Sequence, residues 1–190
     1  MVNIGTNFLN TGIEPRRWGT AHESIVPYQA FQTGDDQHIV VGAGSDLQFT
    51  ALCSLMKTTF HLDDRFSSNQ TRVKNRKELI SLLQNEFKKK ALVGWLEVFA
   101  PAKFPYGPIN TFAQVFEDPQ VKNNGMVFEM DHAKAGSIRL ISNPVRVKDA
   151  DMTVHLPPPL LGEHTDEVLR GVLKYDERTI GQLKNDKIIQ

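Results

Sequence analysis

Three consecutive prolines at positions 157–159 set the firmest limit on what this chain can build. Proline has no backbone N–H to donate and holds φ at about −65°, so no helix interior or central strand runs through the triplet. The segment reads as an extended connector. Beyond it, Val168, Leu169, Val172 and Leu173 recur at helical spacing, and a second helix, capped by Asp176, carries Ile180 and Leu183. These apolar stripes need a surface to bury, and the connector points to a surface outside the middle of the chain.

Ahead of the connector the pattern alternates between strand and helix. Tyr28-Gln29-Ala30-Phe31 and His38-Ile39-Val40-Val41 flank the turn residues Gly34-Asp35-Asp36 and predict a hairpin. Ser45 and Gln48 have capping-box spacing, and Leu47, Ala51, Leu52 and Leu55 then predict a helix over 46–57. Asn75 and Glu78 repeat the device before Leu79, Leu82, Leu83 and Phe87; a third helix holds Leu92, Trp95, Leu96 and Phe99. Pro101, Pro105, Gly107 and Pro108 predict a tight, stiff loop. Asp118-Pro119 has the order of a helix start, and the alternation over 126–140, turning at Gly136, predicts a second hairpin. Residues 1–26 are rich in Asn, Gly, Thr and Pro without periodicity, and read as a loop or arm that leans on something else. The fold class is α+β.

Charge and composition exclude several functions. Lys plus Arg and Asp plus Glu both total 22, so the net charge is zero and nucleic acid is not an expected partner. No apolar run approaches the ~20 residues of a membrane helix, and a soluble protein is expected. The single cysteine, Cys53, allows no internal disulfide or multi-cysteine zinc site and reads as a small core hydrophobe. The opening Met1-Val2-Asn3-Ile4-Gly5 has neither a secretory nor a transit pattern, so the protein is untargeted or its beginning lies upstream.

The residues that could carry chemistry are few. No histidine pairs with another histidine or a cysteine at metal-ligand spacing, so no metal site is expected, and His38, His61, His132 and His155 read as surface or structural. Val41-Gly42-Ala43-Gly44 before a helix suggests a phosphate turn, yet it lacks the third glycine and later acid of a dinucleotide fingerprint and the lysine of a P-loop. A plain strand-to-helix turn is the simpler reading. Gly19-Thr20-Ala21-His22-Glu23-Ser24 is a polar loop that could fold over a ligand.

Five strings in order resemble the class III (CaiB/BaiF, formyl-CoA-transferase-like) CoA-transferase family. They are Arg17-Trp18-Gly19-Thr20-Ala21-His22; Ser24-Ile25-Val26-Pro27-Tyr28-Gln29-Ala30-Phe31; Pro105-Tyr106-Gly107-Pro108-Ile109-Asn110; Asp118-Pro119-Gln120-Val121; and Pro157-Pro158-Pro159-Leu160-Leu161-Gly162-Glu163-His164-Thr165-Asp166-Glu167-Val168-Leu169. Within the family, the second string and Val40-Val41-Gly42-Ala43-Gly44 are most similar to the mitochondrial succinyl-CoA:glutarate (hydroxymethylglutarate) transferases.

The resemblance implies a C-terminal half only: an arm and active-site loop over 1–26, a small α+β domain over 27–150, and a connector with helices over 151–190 that return to a Rossmann-like large domain encoded elsewhere. It implies acyl-CoA and a dicarboxylic acid as partners, coenzyme A as substrate with no further cofactor, an interlocked homodimer and a mitochondrial location. The nucleophilic aspartate belongs to the absent half, so no catalytic residue is assigned here. Gly19, His22, Ser24, Tyr28, Tyr106 and Gly107 are the expected substrate-binding residues. An α-methylacyl-CoA racemase-like isomerase and a non-catalytic binding module are the alternatives.

Overall fold

The computed structural model describes residues 2–189; Met1, part of the opening read for a leader, lies outside them with Gln190. The chain forms two compact units, Met1–Asn110 and Thr111–Gln190.

The first unit is organised by one three-stranded antiparallel sheet of order β1-β2-β3, formed by β1 (Tyr28–Gln32), β2 (His38–Gly42) and β3 (Tyr106–Pro108). Side chains alternate across a strand, so Phe31, Ile39 and Val41 face one side, where all three are fully buried. Helices α2 (Asp46–Met56), α3 (Asn69–Lys74), α4 (Arg76–Phe87) and α5 (Leu92–Phe99) supply the rest of this core.

Phe49, Leu52, Cys53 and Met56 are buried along α2, and Leu79, Leu83 and Phe87 along α4, the 3- and 4-residue spacings of one helix face. The aromatic rings run in a chain from the sheet into the helices. Phe31 stacks on Phe87 at 4.5 Å, Phe87 meets Trp95 at 5.1 Å, and Trp95 stacks on Phe99 at 5.4 Å. Trp95 spends its indole N–H on the Phe87 carbonyl at 2.8 Å, so the ring is buried without an orphan donor. Each such ring contributes about 1.5–3 kcal/mol by leaving water.

Several local expectations hold. The Ser45/Gln48 capping box forms on α2, and the hairpin of β1 and β2 pairs Phe31 with Ile39. Others do not. The buried face of α2 is rotated from the one expected, with Leu47 84% exposed, because Phe49 and Met56 fill the space under the sheet. Asn75 stands at the N-cap of α4 but makes no side-chain capping bond. Its side-chain amide turns back to the Thr71 and Arg65 carbonyls at 3.0 Å each, and Glu78 pairs with Arg65 instead.

Three further features depart from the sequence expectation. Residues 2–11, expected as loop, form α1 (Val2–Thr11), ended by Gly12 at φ 66°, although no residue of α1 is buried. The proline-rich loop contains β3, tolerable for Pro108 because β3 is an edge strand. In the hairpin turn the left-handed residue is Asp36 at φ 58°, whereas Gly34 answers a close approach: a Cβ there would stand 2.6 Å from the Lys88 carbonyl oxygen.

The second unit opens with α6 (Phe112–Glu117) and α7 (Pro119–Asn123); Asp118 caps α7 and Pro119 takes its first turn, as the sequence predicts. The hairpin of β4 (Val127–His132) and β5 (Gly136–Ile141) follows. After the irregular stretch holding the three prolines come α8 (Thr165–Gly171) and α9 (Glu177–Asn185), tied by Arg170–Glu177 at 2.6 Å and Lys184–Asp166 at 2.7 Å. Among the described residues of this unit, Ile180 is the one fully buried hydrophobic side chain; Val172 and Leu173 are 71% and 53% exposed. No helix is long and apolar enough to cross a membrane among the described residues.

Candidate functional site at the covered edge of the sheet

An edge strand presents unpaired N–H and C=O groups that a protein has to cover. On β1 the cover is the loop that leads into it. The His22 N–H donates to the Tyr28 carbonyl at 2.9 Å, and the Ala30 N–H donates to Thr20 Oγ1 at 3.2 Å. Gln84 closes the rest with a two-point amide clamp on Gln32, at 3.1 and 2.8 Å. Edge protection therefore fixes where this loop lies.

Gly19 has φ +62° in the turn closed by Ala21 N–H to the Trp18 carbonyl at 3.0 Å, a left-handed conformation that favours glycine. The His22 ring stacks on Tyr28 at 5.6 Å with planes 4° apart, and its Nδ1 accepts the Ser24 N–H at 3.1 Å. That bond leaves Nδ1 as an acceptor, so the proton of a neutral ring sits on Nε2. Pairing of Tyr28 with Gly42 and of Gly107 with Val40 puts Tyr28 and Gly107 on the outer sheet face. The Tyr28 ring covers Gly42, where a Cβ would meet it at 3.4 Å, while a Cβ on Gly107 would enter open space.

Tyr106 departs from this group. It pairs with Val41 on the core face and meets Phe99 and Phe104 edge-on, at 5.6 and 6.2 Å. The fold thus gathers Gly19, His22, Ser24 and Tyr28, sets Gly107 on the same outer face, and sends Tyr106 inward.

The loop is held from behind by residues that sequence reasoning misses. Asn69 donates to the Ser24 carbonyl at 2.9 Å and accepts the Val26 N–H at 3.1 Å. Arg72, fully buried, donates from Nε to the Val26 carbonyl at 2.6 Å and from Nη1 to the Phe66 carbonyl at 3.1 Å. Its Nη2 lies 2.9 Å from Asp46 Oδ1 off the line of a hydrogen bond, an ionic contact only. Arg76 donates to the His22 carbonyl at 2.8 Å and to the Glu23 carbonyl. Burial pushes both guanidinium groups down; Asp46 opposes this for Arg72, and Arg16 adds to it for Arg76. Asn69 and Arg72 lie three apart on α3, but Arg76 opens α4 beyond the break at Asn75, so no single-helix spacing marks the three together.

Other candidates lose their chemistry in the structure. The amides of Gly44 and Ser45, which a phosphate would need, both donate to Gln48 Oε1 at 3.1 Å, so the glycine turn is a plain strand-to-helix turn. Cys53 is buried, and desolvation pushes its thiol up, away from the reactive thiolate. No cluster of three or more metal-ligating side chains occurs among the described residues.

Fold and loop define a mixed helix-and-strand structure in which a loop histidine and a strand tyrosine stack at the covered sheet edge. CoA-transferase family III matches residues 1–165. The chain is 44% identical over 190 residues to the human protein named succinyl-CoA:glutarate CoA-transferase, a match covering all of this chain and 43% of that one. It is 31% identical over 180 residues to the succinate–glutarate CoA-transferase of Agrobacterium fabrum, covering 94% of this chain and 44% of that protein. A crystal structure of a CaiB/BaiF family protein from Brucella suis superposes with a TM-score of 0.68 at 35% identity, over 89% of this chain and 43% of that one. This chain belongs to CoA-transferase family III. It spans less than half the length of these relatives and corresponds to their C-terminal part.

Proposed function

We propose that this chain is the C-terminal lobe of an enzyme that moves coenzyme A from succinyl-CoA to glutarate or a related dicarboxylate, and that it does not catalyse alone. The observation that carries this reading is the match along the whole chain to a protein named for that reaction, of which the chain covers 43%. In this reading residues 1–26 are the arm and site loop, 27–150 the small domain, and 151–190 the return to a large domain that supplies the nucleophilic carboxylate. The reading extends to an interlocked homodimer in the mitochondrion.

The apolar faces support it. Val2, Leu9 and Ile13 at the start of the chain are 80%, 82% and 72% exposed, and Leu161 and Val172 near its end are 85% and 71% exposed. Apolar surface of this extent marks an interaction surface, and a second lobe of the same enzyme is its occupant. The covered loop gives the lobe a chemical part. His22, Ser24 and Tyr28 border the acyl group, with the His22–Tyr28 stack excluding water from a carboxylate that is a weak nucleophile when hydrated.

The test is a transfer assay with succinyl-CoA and glutarate on the 190-residue chain alone, and on the chain co-expressed with the part of the human relative ahead of the matched segment. Glutaryl-CoA from the assembled protein only supports the proposal. Transfer by the isolated chain defeats the assignment of the nucleophile, and epimerisation of a 2-methylacyl-CoA by the assembly favours an isomerase.

A further inference from the structure

We infer that Arg76 is a positioning residue for the site loop, holding the His22 and Glu23 main-chain carbonyls so that the His22 ring stays against Tyr28. The inference rests on the reading that this loop borders the acyl-transfer site.

Two successive carbonyls converge on one guanidinium, Nη1 serving His22 and Nη2 serving Glu23. A planar fork can hold both at once; a lysine ammonium, a single point on a flexible stem, cannot hold the pair in register. The neighbouring pins act further along the loop, where Asn69 takes Ser24 and Val26 and Arg72 takes Val26. Upstream of Ser24 the loop is tied by Arg76, by the His22 N–H bond to Tyr28, by the Ala30 N–H bond to Thr20 Oγ1 and by the Trp18–Ala21 turn, and among these Arg76 alone holds the His22 and Glu23 carbonyls.

Arg76 makes no salt bridge among the described residues, although the nearby Glu23 charge favours its protonated form; it lies 4.4 Å over the Trp18 ring, which Arg16 also approaches at 3.8 Å. A cation kept half-buried beside another cation is unfavourable unless something compensates. Here the two carbonyls, the indole face and the Glu23 charge compensate. The residue therefore acts on loop geometry through the main chain and makes no bond to the His22 side chain itself.

The experiment uses the 190-residue chain and a glutamyl endopeptidase, comparing cleavage after Glu23, inside the loop, with cleavage after Glu97, inside α5. Arg76→Ala is expected to speed cleavage at Glu23 by about tenfold or more, since bonds to a charged donor are lost. Arg76→Lys is expected to fall between it and the parent, and Glu97 should keep its rate in both. An unchanged rate at Glu23, or an equal rise at both sites, overturns the inference. If Arg76→Ala does not fold, Arg76→Lys carries the same comparison: faster cleavage at Glu23 alone supports the positioning role, and either of those two results overturns it.

In the assembled enzyme, Arg76→Lys should lower kcat by about tenfold, with KM for succinyl-CoA within about twofold, because geometry is lost and binding area is not. A loosened Glu23 in an assembly whose parent has no transfer activity sinks the functional reading and leaves the positioning role standing. Full kcat with a loosened loop sinks the link between the two.

Discussion

Replacing Arg72 by methionine isolates what the buried guanidinium does for the first unit. The stem can still pack beside Phe49, whose ring the guanidinium covers at 4.5 Å, but the Val26 and Phe66 carbonyls lose their donors. Each orphaned buried acceptor costs about 1–3 kcal/mol. Removing a desolvated charge gives part of that back, and the contact to Asp46 adds little because that carboxylate is 57% exposed and solvent-screened. The expected net loss is about 3 kcal/mol, or a urea midpoint lower by roughly 1–2 M at the m-values of small domains. Trp95 is 2% exposed in the core and reports the transition by fluorescence in a Trp18→Phe background. Asp46→Asn in the same background should cost under about 1 kcal/mol. A loss from Arg72→Met below about 1 kcal/mol would refute the carbonyl account. So would an equal loss from Asp46→Asn, since the ion pair would then carry the effect.

Gly34→Ala should destabilise the first unit by about 1–3 kcal/mol in the same urea assay, because its Cβ would stand 2.6 Å from the Lys88 carbonyl oxygen. Gly107→Ala, whose Cβ enters open space, should leave the midpoint unchanged. Asp176 caps α9 through Thr179, and those hydrogen bonds hold its carboxyl below the ordinary 3.8. A lowered folded pKa means that the stabilisation is present above about pH 3.8 and is lost as pH falls through the folded value, so α9 amide signals in NMR should collapse only in that acid range, and Asp176→Ala should abolish the step. Cys53 should react with a disulfide reagent in the folded chain about a thousandfold more slowly than in urea; fast reaction in the native state would contradict its burial.

What could be read from the sequence was what is local. Capping at Ser45, Asp118 and Asp176, the two hairpins and the apolar face of α4 each rest on residues within a few positions of one another. The six residues of α3 escaped because Asn-Gln-Thr-Arg-Val-Lys carries no apolar stripe; its Ser68/Thr71 box was the one local mark. β3 escaped because prolines read as loop, although an edge strand accepts them. The loop at Gly19, His22 and Ser24 stands out for its polarity and takes its role from resemblance. The residues behind it were invisible, since Asn69, Arg72 and Arg76 reach back more than forty positions and an exposed polar or charged side chain is their usual sequence reading. Tyr106 looked like a site residue beside Gly107, yet alternation along β3 turns the two to opposite faces.

If the exposed apolar residues of α1, and Val168 and Val172 along and just after α8, are docking faces for a second lobe, these two helices should change most when that lobe arrives. Amide hydrogen exchange on them, in the 190-residue chain alone and after co-expression with the N-terminal part of the human relative, reads this out. Fast exchange in the isolated chain and strong protection once an active complex forms are expected. Full protection in the isolated chain, or an active complex in which both helices still exchange freely, would rule the docking faces out.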